Sequence, residues 1–433
     1  MGYKECCNND KIYIRILNEV IYMKIHKNKD FILLVVARLL INFADSLFYI
    51  VAIWYTSKTL ESTYYTSIAT FLFLLPETVL IFIGPIVDRV NPKKILLSSL
   101  CTQLGLLMIV VVFWNKLSIV MLLIAIFISS FMSNITYPIE ESIIPQIVKT
   151  EELVAANSIL SVTYKIFDSI FNGTSGFLLV AFSTVSLLKI NLIAFLLPLF
   201  VVWFIKFTYE KSDEEYNIKN YFKDLKEGAV FIKSSELIYI LAPLIFVNFF
   251  NAVNGVVLPF FSQQYKNAAE TFGMIMAIKG VGGIVGAIII NHVKKVLPTG
   301  KLLSVLLILN GVFWICFIFT GGTFISYLFV FVSYMFFGMY NIIYSSLFQA
   351  ITPIKLMGRV LSSVDTIIAI AMPLGALFGG VILKVLPCNI SMMFSAISVI
   401  ITGIFYYKVK IINSLPYIDD IKRLNIDKVN VKI

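Results

Sequence analysis

Apolar runs long enough to cross a bilayer recur twelve times along this chain, and no other feature restricts its fold as severely. They lie at about residues 31–57, 66–87, 95–114, 118–139, 153–182, 186–206, 237–262, 268–290, 301–321, 324–348, 359–384 and 388–409. Each is near the roughly 20 residues a membrane helix needs. In hydrocarbon, every backbone N–H and C=O must find its partner inside the segment, so spans of this length predict helices. Composition agrees: 59% of residues are hydrophobic and 14% charged, where soluble domains carry about a quarter charged. The expectation is an all-α membrane protein with twelve transmembrane helices.

The polar remainder sets the topology. Residues 1–30 are polar and basic and are expected to form a cytoplasmic tail outside the fold, with Met23 as an alternative start. No apolar run follows a charged beginning there, so no cleavable signal peptide is expected. With that tail inside, 27 of the 35 Lys and Arg fall in inside segments against five in outside turns, and Arg38, Lys165 and Lys279 remain within spans. That asymmetry predicts a plasma-membrane protein with both termini cytoplasmic. It also accounts for the net charge of +10 without nucleic acid. Cys6, Cys7, Cys101, Cys316 and Cys388 form no ligand spacing with the two histidines, so neither a metal, a cofactor nor a disulfide framework is expected.

One long connection, 207–236, separates six spans (31–206) from six more (237–410), and 411–433 is read as a second cytoplasmic tail. The two sets echo each other. Gly84-Pro-Ile-Val-Asp88 aligns with Gly286-Ala-Ile-Ile-Ile290 at an offset of 202, and Ser175 to Leu179 aligns with Gly379 to Leu383 at 204. Nearly equal offsets predict a duplicated six-helix unit, hence two pseudo-symmetric halves.

Between spans two and three lies GPIVDRVNPKKI, Gly84 to Ile95, a charged turn that only a membrane surface can accommodate. Its Gly84, Asp88, Arg89, Lys93 and Lys94 resemble the signature of the major facilitator superfamily. Pro138 to Val148, Glu151 to Asn157, Phe222 to Gly228 and Gly358-Arg359-Val360 are similar to the branch that contains macrolide-efflux proteins and the enterobactin exporter. The resemblance implies two six-helix halves, alternating access and proton-driven export, with the signature Asp and Arg latching the halves on the inside face. Three departures stand out. Span four has no arginine, which many drug/proton antiporters carry there, span five has Asn172-Gly173-Thr-Ser-Gly176 where exporters often have a Gly-Pro-x-x-Gly-Gly bend, and Glu140 occupies a position where relatives commonly have arginine.

Charged groups within spans are the natural candidates for mechanism. Arg38 and Asp45 are seven residues apart and so share a helix face. Asp45 is a candidate proton carrier, and Glu77, after Pro76, is a second candidate or a counter-ion for Arg38. Lys165 and Asp168 are spaced to pair locally. Lys279 is a candidate for an anion or for a partner in the other half. Asn251, flanked by Asn248 and Asn254, is expected to line the cavity. At the cytoplasmic gate, Asp88 is expected to face the span-eleven start at Gly358-Arg359, Arg89 to pair with Glu140, and Asp365 to join them, while Lys93 and Lys94 anchor the turn.

These readings converge on a secondary active transporter, a non-enzyme that exchanges protons for an amphipathic small molecule such as an antibiotic or a secreted metabolite. It is expected to be monomeric within the lipid bilayer. An importer or facilitator, and a non-transporting sensor or immunity protein with the same fold, are the competing expectations.

Overall fold

A computed structural model describes residues 28–58, 62–79, 91–149, 152–206, 218–353 and 356–421. Its regular elements are helical throughout the described residues. In chain order they are α1 (Lys29–Lys58), α2 (Thr63–Val79), α3 (Pro92–Val112), α4 (Ile119–Ile147), α5 (Leu153–Ala181) and α6 (Thr184–Phe204). After α7 (Ile218–Ser234) come α8 (Leu237–Ser262), α9 (Ala268–Val293), α10 (Thr299–Thr320), α11 (Phe324–Ile351), α12 (Met357–Ile382), α13 (Cys388–Lys408) and the single turn α14 (Lys410–Asn413).

Nine of these, among the described residues, are long and apolar enough to cross a membrane. α2, α5 and α12 occupy the places of expected spans two, five and eleven, but their described apolar stretches are shorter. Twelve therefore remains the expected count.

Local chemistry explains where several helices begin. Asn28 Oδ1 accepts from the amides of Asp30 and Phe31 (3.1 and 3.2 Å). Asn91 does the same for Lys93 and Lys94 (3.0 and 3.3 Å), with Pro92 supplying a preset first turn. Ser118 and Ser183 cap α4 and α6 through the amides of Met121 and Ser186. Between α10 and α11 the chain reverses at Gly322, whose φ of +81° and lack of a Cβ fit it beneath the Tyr265 ring. Val112, Trp203, Phe319 and Phe324 stay exposed at helix ends, as expected of side chains in contact with lipid.

The packing repeats itself. α1 lies against α5 and α6 as α8 lies against α12 and α13; α3 meets α4 and α6 as α10 meets α11 and α13; α2 packs on α4 as α9 packs on α11. Across the two sets, α2 meets α12 and α5 meets α9.

A polar detail obeys the same rule. Gln103 Nε2 of α3 donates to Ser129 O of α4 (3.1 Å), and Asn310 Nδ2 of α10 donates to Ser333 O of α11 (2.9 Å), at offsets of 207 and 204. The sequence echo around Ser175 and Gly379 falls on the two cross-set contacts. A Cβ on Gly176 would stand 2.6 Å from Gly273 O, and one on Gly380 would run into the Ser67 hydroxyl. Small residues let these backbones approach closely, which is how helices adhere in lipid without a hydrophobic drive between them.

Both described chain ends share one face of the bundle. Asn28 Nδ2 donates to Ile147 O (2.6 Å), and Lys206 N donates to Asp30 Oδ1 (2.8 Å). Beyond α13 the chain stays docked: Ile412, Leu415, Ile418 and Ile421 are buried, and Lys294 pairs with Asp419 at 3.0 Å. The glycine contacts of α5 with α9 and of α2 with α12 lie toward the opposite, far face.

Candidate functional site

α1 and α4 build a ladder of polar groups inside the first set of helices. Arg38 and Asp45 sit seven apart on α1; Glu140 and Ser133 sit seven apart on the antiparallel α4. The rungs match. Arg38 Nη1 is 3.2 Å from Glu140 Oε2 and 3.3 Å from Thr136 Oγ1, with the guanidinium 4.8 Å from the centre of the Tyr137 ring. Two turns deeper, Ser133 Oγ donates to Asp45 Oδ2 at 2.5 Å.

Arg38 and Glu140 are 3% and 0% exposed, so each neutralises a charge that water cannot reach. Asp45 is only partly buried and remains accessible. On the far side of α1, with its amide oriented for bonding, Asn191 of α6 spans the helix rung that brackets Asp45, meeting Ala44 O at 3.2 Å and Phe48 N at 3.1 Å.

The structure gives Glu140 the partner Arg38, while Arg89, its expected partner, lies outside the described residues. Arg38 reaches it because α1 and α4 are antiparallel neighbours in matching register, a long-range relation invisible in local spacing. Glu77 is exposed one residue after Pro76, near the end of described α2.

In the second set of helices, Lys279 of α9 is partly buried, with Nζ 4.7 Å from the centre of the Tyr334 ring on α11. No carboxylate lies within ion-pair distance of it among the described residues. A charge at a helix centre costs about 2.5–3.5 kcal/mol on insertion scales, and a cation–π contact returns only about 0.5–2 kcal/mol. Tyr334 therefore shelters the ammonium without replacing a counter-ion.

The same ring borders a recess of about 20 Å³ together with Asn251, Asn254, Asn310, Trp314 and Ser395. Ser395 Oγ donates to Asn251 Oδ1 (3.1 Å), and Asn310 Nδ2 bonds Ser333 Oγ (2.9 Å). Among the described residues, Asn254 Oδ1 and Trp314 Nε1 are buried there without a partner. The asparagine stripe expected along a central cavity is thus partly internal: Asn251 faces Ser395 of α13, and Asn248 donates to its own helix at Leu244 O (2.9 Å). Polar side chains in lipid settle against neighbouring helices whenever one is within reach.

Of the expected gate, Glu140, Lys93 and Lys94 are among the described residues. Lys93 Nζ donates to the carbonyls of Trp203 (2.8 Å) and Ile205 (2.6 Å), closing the C-terminal end of α6, while Lys94 is exposed. Gly84, Asp88 and Arg89 lie outside the described residues, as do the side chains of Arg359, Asp365, Lys165 and Asp168. Sequence reading missed Ser133, Thr136 and Tyr137, although the spacing of Ser133 and Glu140 repeats that of Arg38 and Asp45. It also missed Trp314 and Tyr334, which carry no signal amid 37 Phe and 21 Tyr.

An all-helical bundle whose two sets of helices repeat one packing pattern is the fold of transporters of the major facilitator class. Within that class, the chain belongs to the transmembrane secretion effector family, whose pattern matches residues 26–430. Among curated relatives it is similar to the uncharacterised MFS-type transporter YkuC of Bacillus subtilis, 23% identical over 89% of this chain and 93% of that one. It is also similar to macrolide efflux protein A of Streptococcus pyogenes, 20% identical over 86% and 92% of the two chains.

Solved structures of the same fold include a point mutant of the nucleoside transporter NupG, with a TM-score of 0.66 and 11% identity over 88% of this chain and 99% of that one. Another is a bacterial homologue of the iron transporter ferroportin in an inward-facing state, with a TM-score of 0.64 and 16% identity over 89% and 98%.

Proposed function

We propose that this protein is a proton-coupled exporter of an amphipathic small molecule, working by alternating access between halves at 31–206 and 237–410. The observation that carries the reading is the accessible Asp45 carboxylate, held by Ser133 at 2.5 Å and separated by two helical turns from a neutralised Arg38–Glu140 pair. A carboxylate so placed can exchange a proton with a cavity, while the pair beside it fixes α1 against α4. Similarity to macrolide efflux protein A supports export and an antibiotic-like cargo.

The positive-inside distribution supports cytoplasmic termini in a plasma membrane. The tail face would then open inward and the glycine-pinned far face would be extracellular. Asp88 is proposed to latch the tail face against the start of α12, with Arg89 beside it.

The test uses purified protein in inverted vesicles under an imposed pH gradient, with a macrolide panel as cargo. Cargo-dependent proton movement is expected, and Asp45→Asn should reduce it at least tenfold while the variant stays folded and still binds cargo. Undiminished coupling in that variant removes Asp45 from the mechanism. Cargo entry into cells along with protons would reverse the direction of transport.

A further inference from the structure

Of the two buried-charge regions, one is balanced and the other is not. Arg38 has Glu140 at 3.2 Å, whereas Lys279 has a phenol ring and no carboxylate within ion-pair distance among the described residues. Lys279 is only partly buried, so its ammonium is not sealed inside the bundle. On another side of the same Tyr334 ring, whose centre is 5.6 Å from that of Trp314, the indole N–H of Trp314 and the amide oxygen of Asn254 are unpartnered. Both residues are 4% exposed and both line the small recess.

Among the described residues, an ammonium with no carboxylate in ion-pair reach, and a recess holding one unused donor and one unused acceptor, therefore share an aromatic wall. A volume of about 20 Å³ admits one oxygen-sized group, such as a water or a hydroxyl, and not the body of a ligand.

We propose that α9, α10 and α11 form an anion-accepting subsite of the transport path, in which Lys279 neutralises the carboxylate of an amphipathic substrate against the Tyr334 ring. The recess between Trp314 and Asn254 receives a water or a substrate hydroxyl alongside. This deepens the export reading and rests on it for the word substrate; anion binding can be measured without transport. The aromatic wall favours a planar or apolar skeleton behind the carboxylate. Strongly hydrated inorganic anions are disfavoured, because the ring offers them nothing in return for lost water.

The experiment isolates Trp314 fluorescence by replacing Trp54, Trp114 and Trp203 with Phe, in nanodiscs of neutral phosphatidylcholine. Iodide, caesium and neutral acrylamide serve as quenchers. Iodide is expected to quench several-fold more than caesium, Lys279→Gln should erase that difference while leaving acrylamide quenching unchanged, and Lys279→Arg should keep it. 2-Naphthoate should compete with iodide at least tenfold better than 2-naphthamide.

Equal iodide quenching in the parent and in Lys279→Gln overturns the subsite, and so does equal competition by acid and amide. If phosphatidylglycerol in the disc suppresses the iodide effect as fully as naphthoate does, the anion is a lipid headgroup and the substrate assignment fails. Loss of anion binding with intact proton-coupled export would sink this proposal alone. Anion binding that survives a failure of the vesicle assay would sink the export reading alone.

Discussion

At the scale of single residues, the Arg38–Glu140 pair has the most direct consequence. Both charges are shielded from water, so Glu140→Gln strips the guanidinium of its counter-charge, and a loss of about 3–5 kcal/mol is expected. The double variant Arg38→Leu with Glu140→Leu should recover most of that loss, because no charge is then stranded. Thermal unfolding of the purified protein, followed by tryptophan fluorescence, checks both.

Lys93 gives a second test. Its two hydrogen bonds to the end of α6 are charge-assisted and complement the helix dipole, so Lys93→Met should cost about 1–2 kcal/mol in the same assay. The exposed Lys94→Met should be nearly neutral. Much of this was only half legible in the sequence. Arg38 and Asp45 announced themselves as charges within an apolar run, whereas their partners Ser133, Thr136 and Tyr137 are ordinary residues. What makes them partners is the pairing of α1 with α4, and no local pattern encodes which helices become neighbours.

At the scale of elements, the close helix crossings depend on missing side chains. Gly273 packs so tightly on Gly176 that any Cβ there enters the carbonyl of the opposite helix. Gly273→Val should wedge α9 away from α5 at the far face. A cysteine placed at Ser175, which is fully buried in the parent, should then react with a water-soluble maleimide several-fold faster. An unchanged rate would mean that the two helices part elsewhere.

The matched amides offer a comparison between the two sets of helices. Gln103→Leu removes one bond to a serine carbonyl and should cost about 1 kcal/mol of thermal stability, whereas Asn310→Leu removes bonds to both the carbonyl and the hydroxyl of Ser333 and should cost about 2 kcal/mol. Helix existence was the easiest feature to read from sequence, since apolar length alone decides it. The starts of α1, α3, α4 and α6 rest on the caps Asn28, Asn91, Ser118 and Ser183, which a reading of apolar length alone does not pick out. The offset of 204 falls on close backbone contacts at Gly176 and Gly380, where small residues let helices touch, whereas the Gly84 to Asp88 half of the 202 match lies outside the described residues.

At the scale of the whole molecule, the repeat places α2 on α12 and α5 on α9 as equivalent seams. If the tail face closes by the Asp88 latch, Asp88→Asn should increase cytoplasmic-side cysteine labelling while leaving the far-face seams unlabelled. Equal labelling would leave the latch without support. Reporter fusions to both termini should be active only in the cytoplasm, which checks the orientation expected from the lysine and arginine distribution. The nature of the cargo was the least legible property. In the proposed subsite it depends on Lys279, Tyr334, Trp314 and Asn254, residues of α8, α9, α10 and α11 whose separations in sequence follow no motif.

The far-face seams have a mechanical consequence. Where backbone rests on backbone, as at Gly176 and Gly273 with only Met276 and Val180 beside them, rocking one helix over the other displaces few side chains, so the contact acts as a bearing with little internal friction. The drag on the turnover cycle then comes from the surrounding lipid. Cycling rate should fall steeply at the chain-melting temperature of the host bilayer and vary only mildly on either side of it.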